Sequence, residues 1–429
     1  MAPLFRLAAC SAWSRRSSLA LLLLSILTST VLLLSIDLAR QSARSTFSNA
    51  VSGTDLIVGA QNSPLALLLY SVFRMGEASR NMPIEAYEEL KRNPMVKHAI
   101  PIALGDSYRG FSVVGTQAHY FQVFQYGQQH TLQIAQGQAF LDYQVGMPAD
   151  TLFGAVLGAE VASTLSHRVG DSIALSHGST LQAGASHADK PFKVVGILAP
   201  TGTPVDRSVH ISLQGMQAIH LDWQAGVPTP GLSIPAHHVT KFDVQPKVVT
   251  AVLVALHNRA AVFRVQRTLE EHPDFSLTAF LPGVALSTLW QTVGVLEYAL
   301  LFVASMVALV SALGLISVML VALSQRRREL AILRSVGATP YTLFGLVCLE
   351  STLIMLLGTS AGIALTAGLA KWLAPWIHTQ YGFVLVPLSE LHTGLMCIAG
   401  FLALGSVLGC VPAWLAYRQQ LQDGLTPKT

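Results

Sequence analysis

Apolar residues are concentrated in four long runs, separated by one long region of mixed polarity. A helix needs about 20 residues to cross the hydrocarbon core of a bilayer, and each run is close to or above that length. The first two runs are separated by about 250 residues, whereas the last three follow one another closely. We therefore predict four transmembrane helices, with a large domain between the first two. The runs are Leu19–Ile36, Val293–Leu323, Tyr341–Ala370 and Leu395–Tyr417.

Within the mixed region, apolar and β-branched stretches alternate with amphipathic ones, which indicates strands and helices of a folded domain. Two strand–helix–strand sets are expected to pair into one mixed sheet with helices on one face. The first set comprises a strand at Asp55–Val58, a helix at Pro83–Arg92 and strands at Val96–Leu104 and Phe111–Thr116. The second comprises a strand at Val248–Leu256, a helix at Arg259–His272 and a strand at Phe275–Phe280.

Between these sets, residues from about 135 to 245 are rich in Gly, Pro and His, and they contain several short strand patterns. The expected strands are Ala155–Leu157, Ser172–His177, Phe192–Leu198 and Ser208–Ser212, with a short helix at Glu160–Ser166. The predicted fold class is therefore a membrane α-helical protein of four transmembrane helices plus an α+β extracytoplasmic domain.

Charge predicts the orientation of the chain. Only 12% of its residues are charged and 52% are apolar, a composition typical of membrane proteins. The two tails and the 325–340 loop hold nine Lys or Arg and two acidic residues, whereas the region between the first two spans holds seventeen of each sign. Because basic loops stay in the cytoplasm, both termini are expected there. We expect a multi-pass protein of the bacterial inner membrane with a periplasmic domain.

These expectations divide the chain into nine segments. The first run is expected to be a retained signal anchor, since its apolar core is longer than that of a cleaved signal peptide. The second run would give roughly 46 Å of helix against a hydrocarbon core of about 30 Å, so either tilt or a stalk must take up the surplus. The segments are a cytoplasmic tail (1–16), helix (17–38), periplasmic domain (39–290), stalk and helix (291–324), cytoplasmic loop (325–340), helix (341–370), periplasmic loop (371–393), helix (394–417) and cytoplasmic tail (418–429).

The cytoplasmic loop Gln325–Pro340, QRRRELAILRSVGATP, is the most charged short segment beside any of the runs. Its spacing predicts a short helix with a basic and an apolar side, which Gly337 ends and Pro340 separates from the next run. Two interpretations are open: a positive-inside anchor, or a coupling helix that docks into a cytoplasmic motor. The candidate coupling residues are Arg326, Arg327, Arg328, Glu329, Leu330, Leu333, Arg334 and Gly337.

This loop resembles the loop between the second and third spans of FtsX-like ABC permeases, in which a run like RRRELAILRSVGAT is characteristic. Val156–Ser208 (VLGAEVASTLSHRVGDSIAL, then FKVVGILAPTGTPVDRS) likewise resembles the external core of MacB-type (type VII) permeases. This resemblance implies a two-lobed extracytoplasmic domain, with a porter-like α/β lobe and a β-rich second lobe at about 135–245. The resemblance implies a permease subunit that is not itself an enzyme. Two copies would pair as a homodimer and bind two copies of an ABC ATPase, which would supply ATP and Mg²⁺, and a periplasmic accessory or substrate-binding protein is a further candidate partner.

The sequence has no G-x-x-x-x-G-K-[ST] motif, which ATP-binding P-loops require. We therefore expect the ATPase to be a separate chain, unlike in MacB proper, where the nucleotide-binding domain is fused ahead of the first span.

The charge balance of the periplasmic domain also argues against a nucleic-acid partner. Glu350 lies near the middle of the third run, where a carboxylate is energetically unfavourable. We expect it to be protonated or bonded to a neighbouring helix, and a proton or ion pathway is the alternative.

Histidines carry the candidate chemistry of the periplasmic domain. Twelve of the fourteen lie between the first two spans, and three occur as His-x-Asp, which on a strand places both side chains on one face. Surface histidines and helix caps are the alternative explanation. A second functional hypothesis is thus a zinc uptake or handling system with a metal-binding periplasmic module, and a third is regulation of a periplasmic enzyme. The candidate ligands are His187, Asp189, His220, Asp222, His237 and His238.

Overall fold

The structure is a computed structural model, and it divides the chain into two compact units. It describes residues 16–76, 80–178, 186–224, 227–229, 233–325, 332, 335–381, 384–387, 395–396, 398–400, 402–403 and 407–414. One unit, called the membrane unit below, comprises Met1–Ala43, Val293–Trp376 and Leu385–Thr429. The other, called the extracytoplasmic unit, comprises Arg44–Thr292 and Ile377–Val384. The predicted membrane part and the predicted periplasmic domain thus correspond to separate units.

In the described part of the chain, short helices and strands lie between the first and second long apolar helices. The helices are α1 Arg16–Ala50, α2 Pro64–Ser71, α3 Ile84–Arg92, α4 Tyr120–Val123, α5 Ala159–Leu165, α6 Leu213–Ile219, α7 Val262–Glu270, α8 Pro282–Gln325 and α9 Pro340–Tyr381. The strands are β1 Leu56–Ala60, β2 Met82–Pro83, β3 Val96–Tyr108, β4 Phe111–Thr116, β5 Gln125–Tyr126, β6 His130–Thr131, β7 Ile134–Gly137, β8 Gly154–Leu157, β9 Ser172–Ile173, β10 Ser176–His177, β11 Phe192–Leu198, β12 Ser208–Ser212, β13 Trp223–Gln224, β14 Val227–Pro228, β15 Val248–Val249, β16 Ala251–Leu256 and β17 Leu277–Phe280.

Among the described residues, three helices are long and apolar enough to cross a membrane: Leu19–Ala50, Pro282–Gln325 and Phe344–Ile377. In the membrane unit, α1 and α8 are joined by hydrogen bonds from Ser25 and Ser29 to Ser311, at 2.8 and 2.7 Å between hydroxyl oxygens. Part of the fourth predicted span, Leu395–Tyr417, lies outside the described residues. The number of spans therefore remains a prediction.

The extracytoplasmic unit is built on an 11-stranded mixed sheet, whose main path is β17-β1-β16-β3-β4-β12-β8-β11-β7. Both predicted strand–helix–strand sets contribute to it: β1 is antiparallel to both β16 and β17, and β3 is antiparallel to β16 and β4. Helices α3 and α7 pack on one face, as expected. Residues of α2 and α4 also cover the other face, because the strand residues there are apolar on both sides, as the wholly buried β1 shows.

The long strand β3 pairs with three other strands of this sheet. Its first half pairs with β16 and its second half with β4, and residues at its end also pair with β10. The 135–245 stretch contains the many short strands that its composition predicted, and their apolar residues form a separate core with Phe192, Leu157 and Ile211. The candidate functional side chains lie near the end of β3, where β10 of the 135–245 stretch pairs with it.

Candidate metal centre

Among the described residues, four side chains of the types that bind metals converge near the end of β3: Asp106, His177, His187 and His220. One ligand atom from each lies within 4.8 Å of the others. Nδ1 of His177 is 2.9 Å from Oδ1 of Asp106 and 3.1 Å from Nε2 of His220. Nε2 of His220 is 3.3 Å from the same Oδ1, and Nε2 of His187 is 3.9 Å from it. Three imidazoles therefore surround one carboxylate.

Asp106 reaches this position because β3 is irregular there. The register of β3 with β4 shifts between Leu104 and Ser107, and Gly105 has a φ of 154°. An irregularity of this kind re-aims the side chains of a strand, and bulges are frequent beside functional sites. The Asp106 carboxylate is consequently turned inward, and its side chain is fully buried.

His177 and His187 lie on neighbouring stretches of one antiparallel arrangement. His177 is the cross-strand partner of Asp106 in the β3–β10 pair, so their side chains share a face of the sheet. Ser176 and Ser186 form an antiparallel bridge, and the backbone N–H of His187 donates to the carbonyl of Leu175 at 2.8 Å. The chain thus returns beside β10 and brings His187 next to Asp106 and His177.

His220 is placed by the end of α6. Its Nδ1 lies 2.8 Å from the carbonyl oxygen of Met216, one turn earlier, and can only donate to it. In the neutral ring this leaves a lone pair on Nε2. A backbone acceptor on the second ring nitrogen is how metal-binding histidines are usually oriented. The Nε2 of His220 points at Asp106 and His177 in that orientation.

Several polar atoms at the centre lack partners among the described residues. Both ring nitrogens of His187 and Oδ2 of Asp106 are buried without a hydrogen bond, although the His187 side chain has no exposed surface. A buried polar group left unpaired costs about 1–3 kcal/mol. In addition, the Nδ1–H of His177 can donate to Asp106 or to His220, but not fully to both. The protein atoms alone therefore leave the centre incompletely satisfied.

The electrostatics of the centre follow from burial and from the shared carboxylate. Burial alone would raise the pKa of Asp106, but hydrogen bonds from His177 and His220 lower it to about 2. Burial lowers the pKa of His187 to about 4 despite the nearby carboxylate. For His220, burial opposes the charged form, but Asp106 outweighs it and raises the pKa. Asp106 is thus an anion at neutral pH and His187 a neutral imidazole, the forms in which both bind metals.

The remaining predicted ligands lie outside this cluster. Asp189 and Asp222 both bind Lys190, whose fully buried Nζ is 2.8 Å from Asp189 and 2.8 Å from each oxygen of Asp222. This ion pair ties the segment that carries His187 to the turn that follows His220. His237 and His238 are exposed in the 3₁₀ helix Ala236–Lys241, with their rings 4.2 Å apart.

Two clefts open onto the centre. One, of about 490 Å³, is lined by Asp106, His177 and Arg74 among others. The other, of about 250 Å³, is lined by Asp106, His177 and His220 together with Thr250. The side chains of His177 and His220 are 31% and 25% exposed, whereas Trp223 covers His187 with ring centroids 4.1 Å apart. The centre is therefore anchored in the core on one side and reachable from solvent on the other.

Sequence reasoning found His187 and His220 but missed Asp106 and His177. The available signals were weak: Gly105 inside a strand pattern, which is typical of a bulge, and His177 at the end of a predicted strand. The His-x-Asp spacing instead favours Asp189 and Asp222 as metal ligands, but both carboxylates form ion pairs with the buried Lys190.

The predicted coupling residues Arg326, Arg327, Arg328, Glu329, Leu330, Leu333 and Arg334 lie outside the described residues. Gly337 has a φ of 101°, which favours glycine at the end of a helix, and α9 begins at Pro340. Glu350 is half-buried on α9.

Comparison with known families covers most of the chain. Residues 19–271 match the MacB-like periplasmic core domain, and residues 301–421 match the FtsX-like permease C-terminal domain. The chain belongs to the MacB/FtsX-like permease family. It is thus an ABC transporter permease, a membrane protein with a MacB-like periplasmic domain.

Two solved structures are similar at low sequence identity. The periplasmic region of MacB from Actinobacillus actinomycetemcomitans is 11% identical, with a TM-score of 0.32, over 56% of this chain and 94% of that one. The extracellular domain of the noncanonic ABC-type transporter YknZ from Gram-positive bacteria is 12% identical, with a TM-score of 0.31, over 53% of this chain and 98% of that one. No curated protein matches the chain.

Proposed function

We propose that this permease couples ATP hydrolysis by a separate ATPase chain to a conformational change of its periplasmic domain. Two copies of the permease would assemble with two copies of the ATPase in a bacterial inner membrane, with both termini in the cytoplasm. The work would be mechanical, serving export or extraction of a substrate on the periplasmic side. The chain itself would be a non-enzymatic subunit.

The observation that carries this proposal is the basic segment between two candidate spans. α8 ends at Gln325 and α9 begins at Pro340, and the residues between them hold four arginines and one glutamate. Basic residues beside spans are retained in the cytoplasm, which is where an ATPase would be met. The FtsX-like match, residues 301–421, spans this segment and favours docking over a simple anchor.

The length of α8 supplies a means of transmission. It has 44 residues, which correspond to about 66 Å of helix against a hydrocarbon core of about 30 Å. An average tilt of about 20° absorbs only a few ångströms of this excess. A continuous helix is stiff, so movement of the cytoplasmic segment would be carried along α8 beyond the bilayer.

The proposal is tested by the double variant Leu330→Asp/Leu333→Asp. If these leucines dock into the ATPase, two buried carboxylates at the contact should abolish the stimulation of ATP hydrolysis by the permease, measured with the co-purifying ATPase in nanodiscs. The matched control is Ile332→Asp. Position 332 is exposed and points to a different side of the predicted helix than 330 and 333.

Membrane insertion must be unchanged in both variants, since all the arginines are kept. Normal stimulation in the double variant, with normal insertion, would leave the segment with only an anchoring role and would contradict the proposal.

A second candidate function, metal handling, is favoured by the centre formed by Asp106, His177, His187 and His220. Such a system would take up or redistribute a transition metal through the periplasm. It requires first of all that the centre bind an ion.

A further inference from the structure

We propose that Asp106, His177, His187 and His220 form a four-coordinate site for Zn²⁺ in the periplasmic domain. The site is independent of ATPase coupling, and it deepens the metal-handling function, which rests on it. Three imidazoles and one carboxylate are a nitrogen and oxygen donor set that suits zinc.

The spacing of the donor atoms agrees with tetrahedral zinc. Zinc–nitrogen and zinc–oxygen bonds are about 2.0–2.2 Å long, so neighbouring donors of a tetrahedron lie about 3.3 Å apart. Three of the observed separations, between Asp106, His177 and His220, are 2.9, 3.1 and 3.3 Å. His187 lies farther out, at 3.9 Å from Asp106, and would have to move inward to complete the tetrahedron.

The unpaired atoms point to a cation rather than to a closed hydrogen-bond network. His187 is fully buried, yet neither of its ring nitrogens has a partner among the described residues. In its neutral form His220 directs a lone pair of Nε2 at the carboxylate oxygen of Asp106, 3.3 Å away, whereas only its protonated form donates a hydrogen bond there. Two acceptors facing each other at this distance repel unless a proton or a metal ion lies between them.

The surroundings provide what a metal site needs beyond its ligands. Met216 fixes the ring of His220 through its carbonyl oxygen. The ion pair of Lys190 with Asp222 holds the segments after His187 and His220 together. Support of this kind orients the ligands before the ion arrives.

Access distinguishes this site from a permanent structural zinc. The clefts of about 490 and 250 Å³ both reach Asp106 and His177, so an ion could enter and leave. The domain also has an apolar core, which includes Phe192, Leu157 and Ile211 and can hold the fold when the ion is absent. We therefore expect an exchangeable ion whose removal leaves the domain folded.

The decisive experiment removes bound metal from the full-length permease in nanodiscs with a chelator and then titrates it with Zn²⁺ by calorimetry. The wild-type chain should bind one Zn²⁺ per copy with micromolar or tighter Kd. Asp106→Asn and His187→Gln should each weaken binding at least a hundredfold, since each removes a ligand. The matched control His237→Gln/His238→Gln removes two exposed histidines and should keep the wild-type Kd.

A measurement on the unaltered protein tests the site even if the variants fail to fold. X-ray absorption of the zinc-loaded wild type should show four nitrogen or oxygen neighbours at about 2.0–2.2 Å with imidazole scattering. Zinc should also raise the thermal midpoint by roughly 5–10 °C at a hundredfold excess over Kd.

Three results would overturn the site. They are wild-type binding no tighter than millimolar, zinc without imidazole neighbours, or loss of binding in His237→Gln/His238→Gln with retention in folded Asp106→Asn and His187→Gln. This last comparison tests the competing explanation, in which zinc binds the adjacent exposed histidines instead of the proposed site.

Discussion

At the scale of single residues, His210 is a buried imidazole with no evident part in the metal centre. It lies on β12 and stacks on Tyr120, with ring centroids 5.4 Å apart. Burial, together with the positive charge of Arg74, lowers the pKa of His210 to about 3. The ring is therefore held neutral in the folded state.

This burial predicts an acid sensitivity that substitution should remove. Because the unfolded pKa of His is about 6.5 and the folded one is lower, the unfolded chain binds more protons between the two values, and stability falls as pH drops through 6.5. At pH 5 the loss is about 2 kcal/mol relative to pH 7.5. His210→Gln should lack this component, so the drop in thermal midpoint between pH 7.5 and pH 5 should shrink by roughly 4–8 °C.

The control is His130→Gln, which changes an exposed histidine and should keep the wild-type pH dependence. An unchanged acid-induced drop in His210→Gln would show that other groups account for the sensitivity.

The candidate metal ligands show which parts of a site can be predicted from residue patterns. The concentration of histidines indicates the right part of the chain, and two of the four convergent residues follow from it. The His-x-Asp spacing also suggests Asp189 and Asp222 as ligands, but the fully buried Lys190 requires carboxylate partners and binds both. No local pattern shows that Asp106 pairs with His177, since 71 residues separate them and their contact depends on strand pairing.

At the scale of elements, glycines set the approach of α9 to α1 in the membrane unit. A Cβ placed on Gly358 would lie 2.7 Å from a side-chain carbon of Ile26, and one on Gly362 would lie 2.6 Å from Cβ of Thr30. Small residues at such positions let helix backbones pack closely, which stabilises helix pairs in lipid.

We expect Gly358→Ala to destabilise the helix packing by about 1–3 kcal/mol, because the added methyl group must displace Ile26 or the helix itself. The measurement is the thermal midpoint of the chain in detergent. Gly368→Ala is the matched control: its added Cβ meets nothing within 4 Å, and alanine favours helix over glycine by about 1 kcal/mol. A midpoint for Gly358→Ala as high as that of Gly368→Ala would contradict the close packing.

Elements with a clear periodicity were predicted well, and those broken by side-chain chemistry were not. The strands Phe111–Thr116, Phe192–Leu198 and Ser208–Ser212 occur at the predicted bounds. The strand predicted over Val248–Leu256 is interrupted at Thr250, whose hydroxyl accepts a hydrogen bond from the N–H of Leu104. The extension of β3 as far as Tyr108 also escaped prediction, because Gly105 and Asp106 are poor strand formers.

At the scale of the whole molecule, hydropathy and charge separate the two units before any contact is known. The mixed sheet is predicted by the alternating patterns, because each strand must bury its apolar face. The division into two lobes is implied by the resemblance to MacB-type permeases and stays a prediction. The order of the strands in the sheet cannot be predicted from these patterns, because the pairing of β3 with both β16 and β4 depends on contacts between residues far apart in sequence.

The arrangement of the chain across the membrane gives the last prediction, which concerns Ser335 and Ser287. Both side chains are exposed, but the charge distribution puts the first in the cytoplasm beside the arginines and the second outside, ahead of the second apolar run. With Cys10, Cys348, Cys397 and Cys410 replaced by alanine, Ser287→Cys should react with a membrane-impermeant maleimide in intact cells. Ser335→Cys should react only after the inner membrane is permeabilised. Labelling of Ser335→Cys in intact cells would place the arginine-rich segment outside, away from any ATP, and would remove the basis for coupling to an ATPase.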